Sequence, residues 1–145
     1  QVGPPEDVYR RPQSLFVADF VGSTNRLRGE AVSTTAGGYR VQVDGIGERT
    51  VAGPPGIATG AQVVILIRPE DVDIGAPGSG APDGLAATVT DTAFLGAQRT
   101  LRLATQLGSA FVATTRAGAV AHASGASVEL RWRPEDAWAL PGEAE

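Results

Sequence analysis

The sequence predicts a mainly β fold: two small, related β units in tandem behind a short helical segment. Three observations carry this. Nineteen glycines and ten prolines are spread through the 145 residues as punctuation between short apolar runs. Beyond Asn25 the apolar residues recur with a period of two, as strands with one buried face require. A twelve-residue stretch then repeats: 60–71 aligns without a gap on 125–136, with seven identities at an offset of 65, and both copies end in Arg-Pro-Glu-Asp.

The elements follow in order. Pro4-Pro5, then Glu6 and Asp7, then Arg10 and Arg11 place acid in the first turn and base in the last turn of a short helix, which Pro12 stops. Ser14 caps a second short helix with Phe16, Val17 and Phe20 on one face and Gly22 at its end. Tyr39, Val41 and Val43 then alternate with polar residues, and Gly37-Gly38 separates them from 30–35 at the spacing of a tight hairpin. The run 62–67 reads as a strand buried on both faces, and 85–92, 99–104, 110–115 and 127–132 are further strands. Residues 75–84 hold only Gly, Ala, Pro, Ser and Asp and read as a flexible connection. The expected division is therefore a helical tail at 1–22, a first β unit at 23–74, a linker at 75–84 and a second unit at 85–145. A second pairing, Phe20-Val21-Gly22 with Phe94-Leu95-Gly96 at an offset of 74, extends the repeat toward the start of each copy.

Composition excludes much chemistry. Without cysteine there are no disulfides, thiolate metal sites or cysteine nucleophiles, and a lone His122 cannot build a histidine metal centre or relay. All twelve basic residues are arginine, so neither a phosphate-binding loop ending in Gly-Lys-Ser/Thr nor a Schiff-base lysine can exist in these residues. The longest aliphatic run, Val63-Val64-Ile65-Leu66-Ile67, is far short of the ~20 residues of a spanning helix. A net charge of −4 disfavours a broad phosphate-binding surface, and so nucleic acid as a partner. The chain has no methionine and begins at Gln1, which reads as a piece of something longer.

The first twenty-five residues carry a resemblance. Gln1-Val2-Gly3-Pro4-Pro5-Glu6-Asp7-Val8-Tyr9, then Pro12, Phe16-Val17-Ala18-Asp19-Phe20-Val21-Gly22 and Asn25, resemble the stretch by which ATP-binding subunits of ABC importers leave their nucleotide-binding domain, in the class serving maltose, polyamines and ferric iron. Pro4 stands where that family usually has threonine, and Val8 and Val21 where it has isoleucine. Ile67-Arg68-Pro69-Glu70 is similar to a strand-ending motif of the transport-associated OB domain that follows. The resemblance implies tandem OB-like barrels, a C-terminal regulatory and dimerising role in solute import, and no catalysis within these residues. ATP and magnesium would belong to the upstream domain of the parent. The implied partners are a second copy, the membrane permease subunits, and a regulatory protein or small anion. The implied place is the cytoplasm, peripheral to the inner face of the cell membrane.

Candidate residues divide into two sets. In Arg-Pro-Glu-Asp the residue before proline is pushed extended and proline lacks the donor a central strand needs, so each motif ends its strand in a turn. Beyond that, Arg68 with Glu70 and Arg133 with Glu135, beside Trp132, are candidates for ion pairing at an interface, since the guanidinium fork suits carboxylates. Gly22, Ser23 and Thr24, with Gly96, are candidate anion-binding loops that would offer backbone N–H groups. Phe16, Phe20, Trp132 and Trp138 are candidates for burial. His122, and the carboxylates Glu70-Asp71 and Glu135-Asp136, fit solvated loops and turns better than acid–base work. The alternative to the importer reading is a stand-alone OB-type module that senses a small oxyanion or single-stranded nucleic acid.

Overall fold

A computed structural model describes residues 3–5, 11–12, 24–78, 84–107, 111–116 and 122–142. These form ten strands: β1 Asn25–Thr35, β2 Gly38–Val43, β3 Gly47–Ala52, β4 Gln62–Ile67, β5 Asp73–Gly75, β6 Leu85–Leu95, β7 Gln98–Thr105, β8 Phe111–Arg116, β9 Ser127–Arg131 and β10 Ala137–Pro141. Two 3-10 turns, Pro69–Asp71 and Pro134–Asp136, precede β5 and β10. The mainly β expectation holds. The expected N-terminal helices fall almost wholly outside the described residues, and no α-helix stands among the elements formed by those described.

Two compact units result, and they are not the sequential halves expected. The first comprises residues 1–68 and 133–145, the second 69–132. Both boundaries fall at the repeated Arg-Pro turn. Arg133, before its proline, is extended at φ −81°, ψ 148°, and the chain then turns through one 3-10 step into a new strand. After Pro69–Asp71 that strand is β5, which pairs with β9 through Asp73↔Arg131. After Pro134–Asp136 it is β10, which pairs with β4 from Ala137↔Ile67 to Pro141↔Val63. The strand after each copy of the motif therefore joins the unit that the other copy's strands build. Gly75 of the expected linker ends β5 and Gly84 precedes β6, while 79–83 lie outside the described residues.

The first unit is a closed barrel of order β1-β2-β3-β10-β4. Its interior holds Leu27, Ala31, Val41, Val51, Val63, Ile65, Ile67, Ala137 and Ala139, all at 4% exposure or less. The expectation that 62–67 is buried on both faces holds: Val64 and Leu66 pack with Leu140 on the other face, against half-buried Trp138. The second unit is a five-stranded sheet, β5-β9-β6-β7-β8, the same order without the closing pair, around Leu85, Val89, Leu101, Leu103, Phe111, Val128 and Leu130.

The ladders show which residues are equivalent. β1 bulges between Ala31 and Ser33, and β6 between Val89 and Asp91. At each bulge the same two backbone bonds form: Gly60 N to Ala31 O and Ala31 N to Ala61 O, then Gly125 N to Val89 O and Val89 N to Ala126 O. Ala31 thus answers to Val89, an offset that places Phe94 at the far end of β6, whereas 20–22 precede β1. The Phe-x-Gly pairing is an accident of sequence; the Arg-Pro-Glu-Asp repeat is structural. The first hairpin also differs by one residue from expectation. Its turn is Ala36-Gly37, with Gly37 at φ +80°, and Gly38 is already in β2 because a Cβ there would run into the Val51 carbonyl oxygen.

Candidate functional site

In the first unit the β1–β2 turn, strand β3 and the 3-10 turn before β10 border a recess of about 280 Å³. It is lined by Thr35, Ala36 and Gly37 from the turn, Thr50, Val51 and Ala52 from β3, and Pro134 and Glu135. Each lining group is placed by local structure. The two-residue turn fixes Ala36 and Gly37, the β2–β3 ladder fixes Thr50 opposite Arg40, and proline holds the turn that carries Glu135. The Arg40 guanidinium donates to the Thr50 hydroxyl at 2.9 Å and to Glu48 at 3.1 Å. Glu135 is exposed and is the one charged residue of the lining. Beyond the recess, the Tyr39 hydroxyl donates to the Pro54 carbonyl at 2.6 Å and accepts from the Ile57 N–H at 3.2 Å, which ties the loop after β3 to the barrel.

Of the expected interface residues, Glu135 alone reaches this recess. Arg133 is exposed and its Nε donates to Asp136 at 3.0 Å, a pair closed within its own turn rather than one with Glu135. Arg68, at the same place in the other copy, is 4% exposed and so unsuited to a surface that meets another chain. Glu70 is exposed on the turn of the second unit, and Trp132 stacks on Phe111, ring centroids 5.8 Å apart.

Of the candidate anion loops, Thr24 and Gly96 lie among the described residues. Gly22 and Ser23 lie outside the described residues, and the Thr24 hydroxyl is bound to the carbonyls of Ile67 and Asn25, each at 3.2 Å. Gly96, at φ +63°, turns the β6–β7 hairpin at the opposite end of its strand from the place Thr24 has on β1. Trp138 is half buried as expected, with its indole N–H donating to the Pro12 carbonyl at 2.8 Å and the Arg11 guanidinium 5.6 Å from its ring centre. Phe16 and Phe20 lie outside the described residues. His122 is half buried near the start of β9. Among the described residues no group of three or more histidine or acidic side chains gathers to hold a metal ion. The recess was not legible in sequence, since β3, Gly-Glu-Arg-Thr-Val-Ala, lacks the alternation that marks a strand.

Comparison with known proteins agrees with this architecture. Residues 65–140 match the family described as the TOBE domain. The spermidine/putrescine import ATP-binding protein PotA 1 of Pseudomonas aeruginosa is 36% identical over 118 residues, 81% of this chain and 31% of that protein. PotA of Methylococcus capsulatus is 31% identical over 150 residues, covering 100% of this chain and 38% of the relative. The Fe(3+) ions import ATP-binding protein FbpC of Fusobacterium nucleatum is 37% identical over 98 residues, 66% of this chain and 24% of that protein. The chain thus spans 24 to 38% of the length of these relatives. A molybdate-bound structure of the cytoplasmic molybdate-binding protein ModG superposes with a TM-score of 0.66 at 18% identity, over 81% of this chain and 96% of that one, a likeness of fold. With the family match running from β4 through the repeated turn to β10, and a fold shared with ModG, the chain belongs to the TOBE domain family.

Proposed function

We propose that the chain is the C-terminal regulatory and dimerising region of an ABC importer's ATP-binding subunit, serving polyamines, ferric iron or a related solute. The observation that carries this is its similarity along the whole of its length to import ATP-binding proteins. The lack of lysine fits, because the phosphate-binding loop would then lie in another part of the parent, together with ATP and magnesium. On this reading the chain itself catalyses nothing. It works beside the permease subunits at the cytoplasmic face of the membrane, and it holds two ATP-binding subunits in a pair that responds to the state of the cell. The test is solute uptake and ATP hydrolysis by the assembled importer with and without residues 24–145. Loss of subunit pairing or of control over hydrolysis supports the reading; uptake, pairing and control all unchanged count against it.

A second reading, the sensing of a small oxyanion, is favoured by the fold shared with ModG, which binds molybdate. The recess of the first unit argues against such a site there, since its charged lining residue is the carboxylate Glu135. A rise in melting temperature with molybdate, sulfate or phosphate would support the anion reading through linkage of binding to the folded state. Melting unchanged by all three would leave the pairing role.

A further inference from the structure

We propose that Phe94, on the second unit of one copy of the chain, seats in the recess of the first unit of another copy. The inference rests on the reading of the chain as a pairing region and names the residues that make the pair.

The β6–β7 ladder runs two pairs beyond the point where the equivalent β1–β2 ladder turns, and the added pairs are Phe94↔Arg99 and Leu95↔Gln98. The longer hairpin places Phe94 at 71% exposure, one of two exposed large apolar residues among those described. The ring is held in place. Arg99 opposite it is 5% exposed, has its guanidinium carbon 5.9 Å from the ring centre, and donates from Nη2 to the Arg116 carbonyl at 3.5 Å. An aromatic group fixed outside the core loses little freedom on docking, and such residues act as anchors when a partner offers a pocket.

The recess is such a pocket. At about 280 Å³ it falls below the range of roughly 300–1,000 Å³ typical of sites for drug-sized ligands, and it suits one side chain. Ala36, Ala52 and Pro134 give it apolar surface beside the hydroxyls of Thr35 and Thr50. Charge agrees as well. Arg116, exposed, lies opposite Gln98 beside the turn of the hairpin, while the charged residue of the recess lining is Glu135. Every copy carries both the anchor and the hollow, so the partner of matching chemistry is a second copy.

Light scattering over a concentration series tests this with the chain, Phe94→Ala, Glu135→Arg and an equimolar mixture of the two variants. Both altered side chains are exposed, so each variant should melt as the unaltered chain does. Each alone should associate at least about tenfold more weakly. The mixture should regain association, because one variant keeps the anchor and the other keeps the hollow. Association unaffected by Phe94→Ala, or a mixture no better than its components, overturns the contact and leaves pairing by another surface standing. A chain that is monomeric at every concentration overturns both the contact and the pairing role.

Discussion

Arg68 and Arg133 occupy the same place in a repeated twelve-residue stretch, yet one is 4% exposed while the other's side chain is 70% exposed. The motif made the turn legible because proline's restrictions act on adjacent residues. Burial is set by what packs over the turn, which no twelve residues specify. Arg68→Ala should accordingly lower stability by about 1–3 kcal/mol, through lost packing and lost hydrogen bonding of a buried guanidinium. Arg133→Ala, which removes a side chain that is 70% exposed, should cost less, about 0.5 kcal/mol. Urea unfolding of the two variants compares them, and equal losses would contradict the assignment. Gly38→Ala should cost about 1–3 kcal/mol, because its Cβ meets the Val51 carbonyl across the ladder and backbone cannot move aside as a side-chain tip can. Tyr39→Phe keeps the ring against Gly53 but strips the hydroxyl from the Pro54 carbonyl and the Ile57 N–H. It should cost about 1–2 kcal/mol and speed hydrogen exchange at the Ile57 amide, whereas unchanged exchange there would mean the loop is held by other contacts.

Among the elements, those that alternate over six or more residues were legible: β2, β6, β7 and β8 fall within two or three residues of expectation, and β4 showed its two-sided burial in an unbroken β-branched run. β10 was missed because Ala137-Trp138-Ala139-Leu140-Pro141 turns only alanines into the barrel, side chains too small to mark an apolar period. β5 is three residues long, too short for any period. Which unit these two strands join was not legible either, for a short strand's own sequence does not say which sheet receives it. The consequence is testable by ending the chain after Trp132. That removes β10, uncovers Ile65 and Ile67, and should abolish slow hydrogen exchange at the β1 and β4 amides while the β6 and β7 amides keep theirs. Protection lost equally in both units would mean that β10 stabilises the whole chain rather than its own barrel.

At the scale of the whole molecule, the continuous stretch that holds one complete sheet is not the one suggested by sequence order. Residues 69–132 contain every strand of the second sheet in one continuous stretch, whereas 85–145 omits β5 and includes a strand that belongs elsewhere. A chain of 69–132 should show a cooperative thermal transition by circular dichroism, and one of 85–145 a broader and lower one. The reverse ranking would mean that the sequential division is the physical one. The composition arguments and the resemblance at residues 1–25 were enough to place the family, since both depend on residue identity alone. The recess and the exposed Phe94 depend on how far each hairpin runs before turning, a matter of register that emerges only when strands pair.

The placement of residues 69–132 between the two segments of the first unit also sets a load path. Asn25 at the start of β1 and Pro141 at the end of β10 belong to the same unit, and Arg68 and Arg133, where the inserted stretch leaves and returns, are bracketed by the Ile67↔Ala137 pair at one end of the β4–β10 ladder. Tension applied between Asn25 and Pro141 is therefore carried by the strands of the first barrel, and the inserted stretch is shielded while the β4–β10 ladder holds. In a single-molecule pulling experiment the barrel should rupture first, and only then should the second unit feel force and lengthen in its own step.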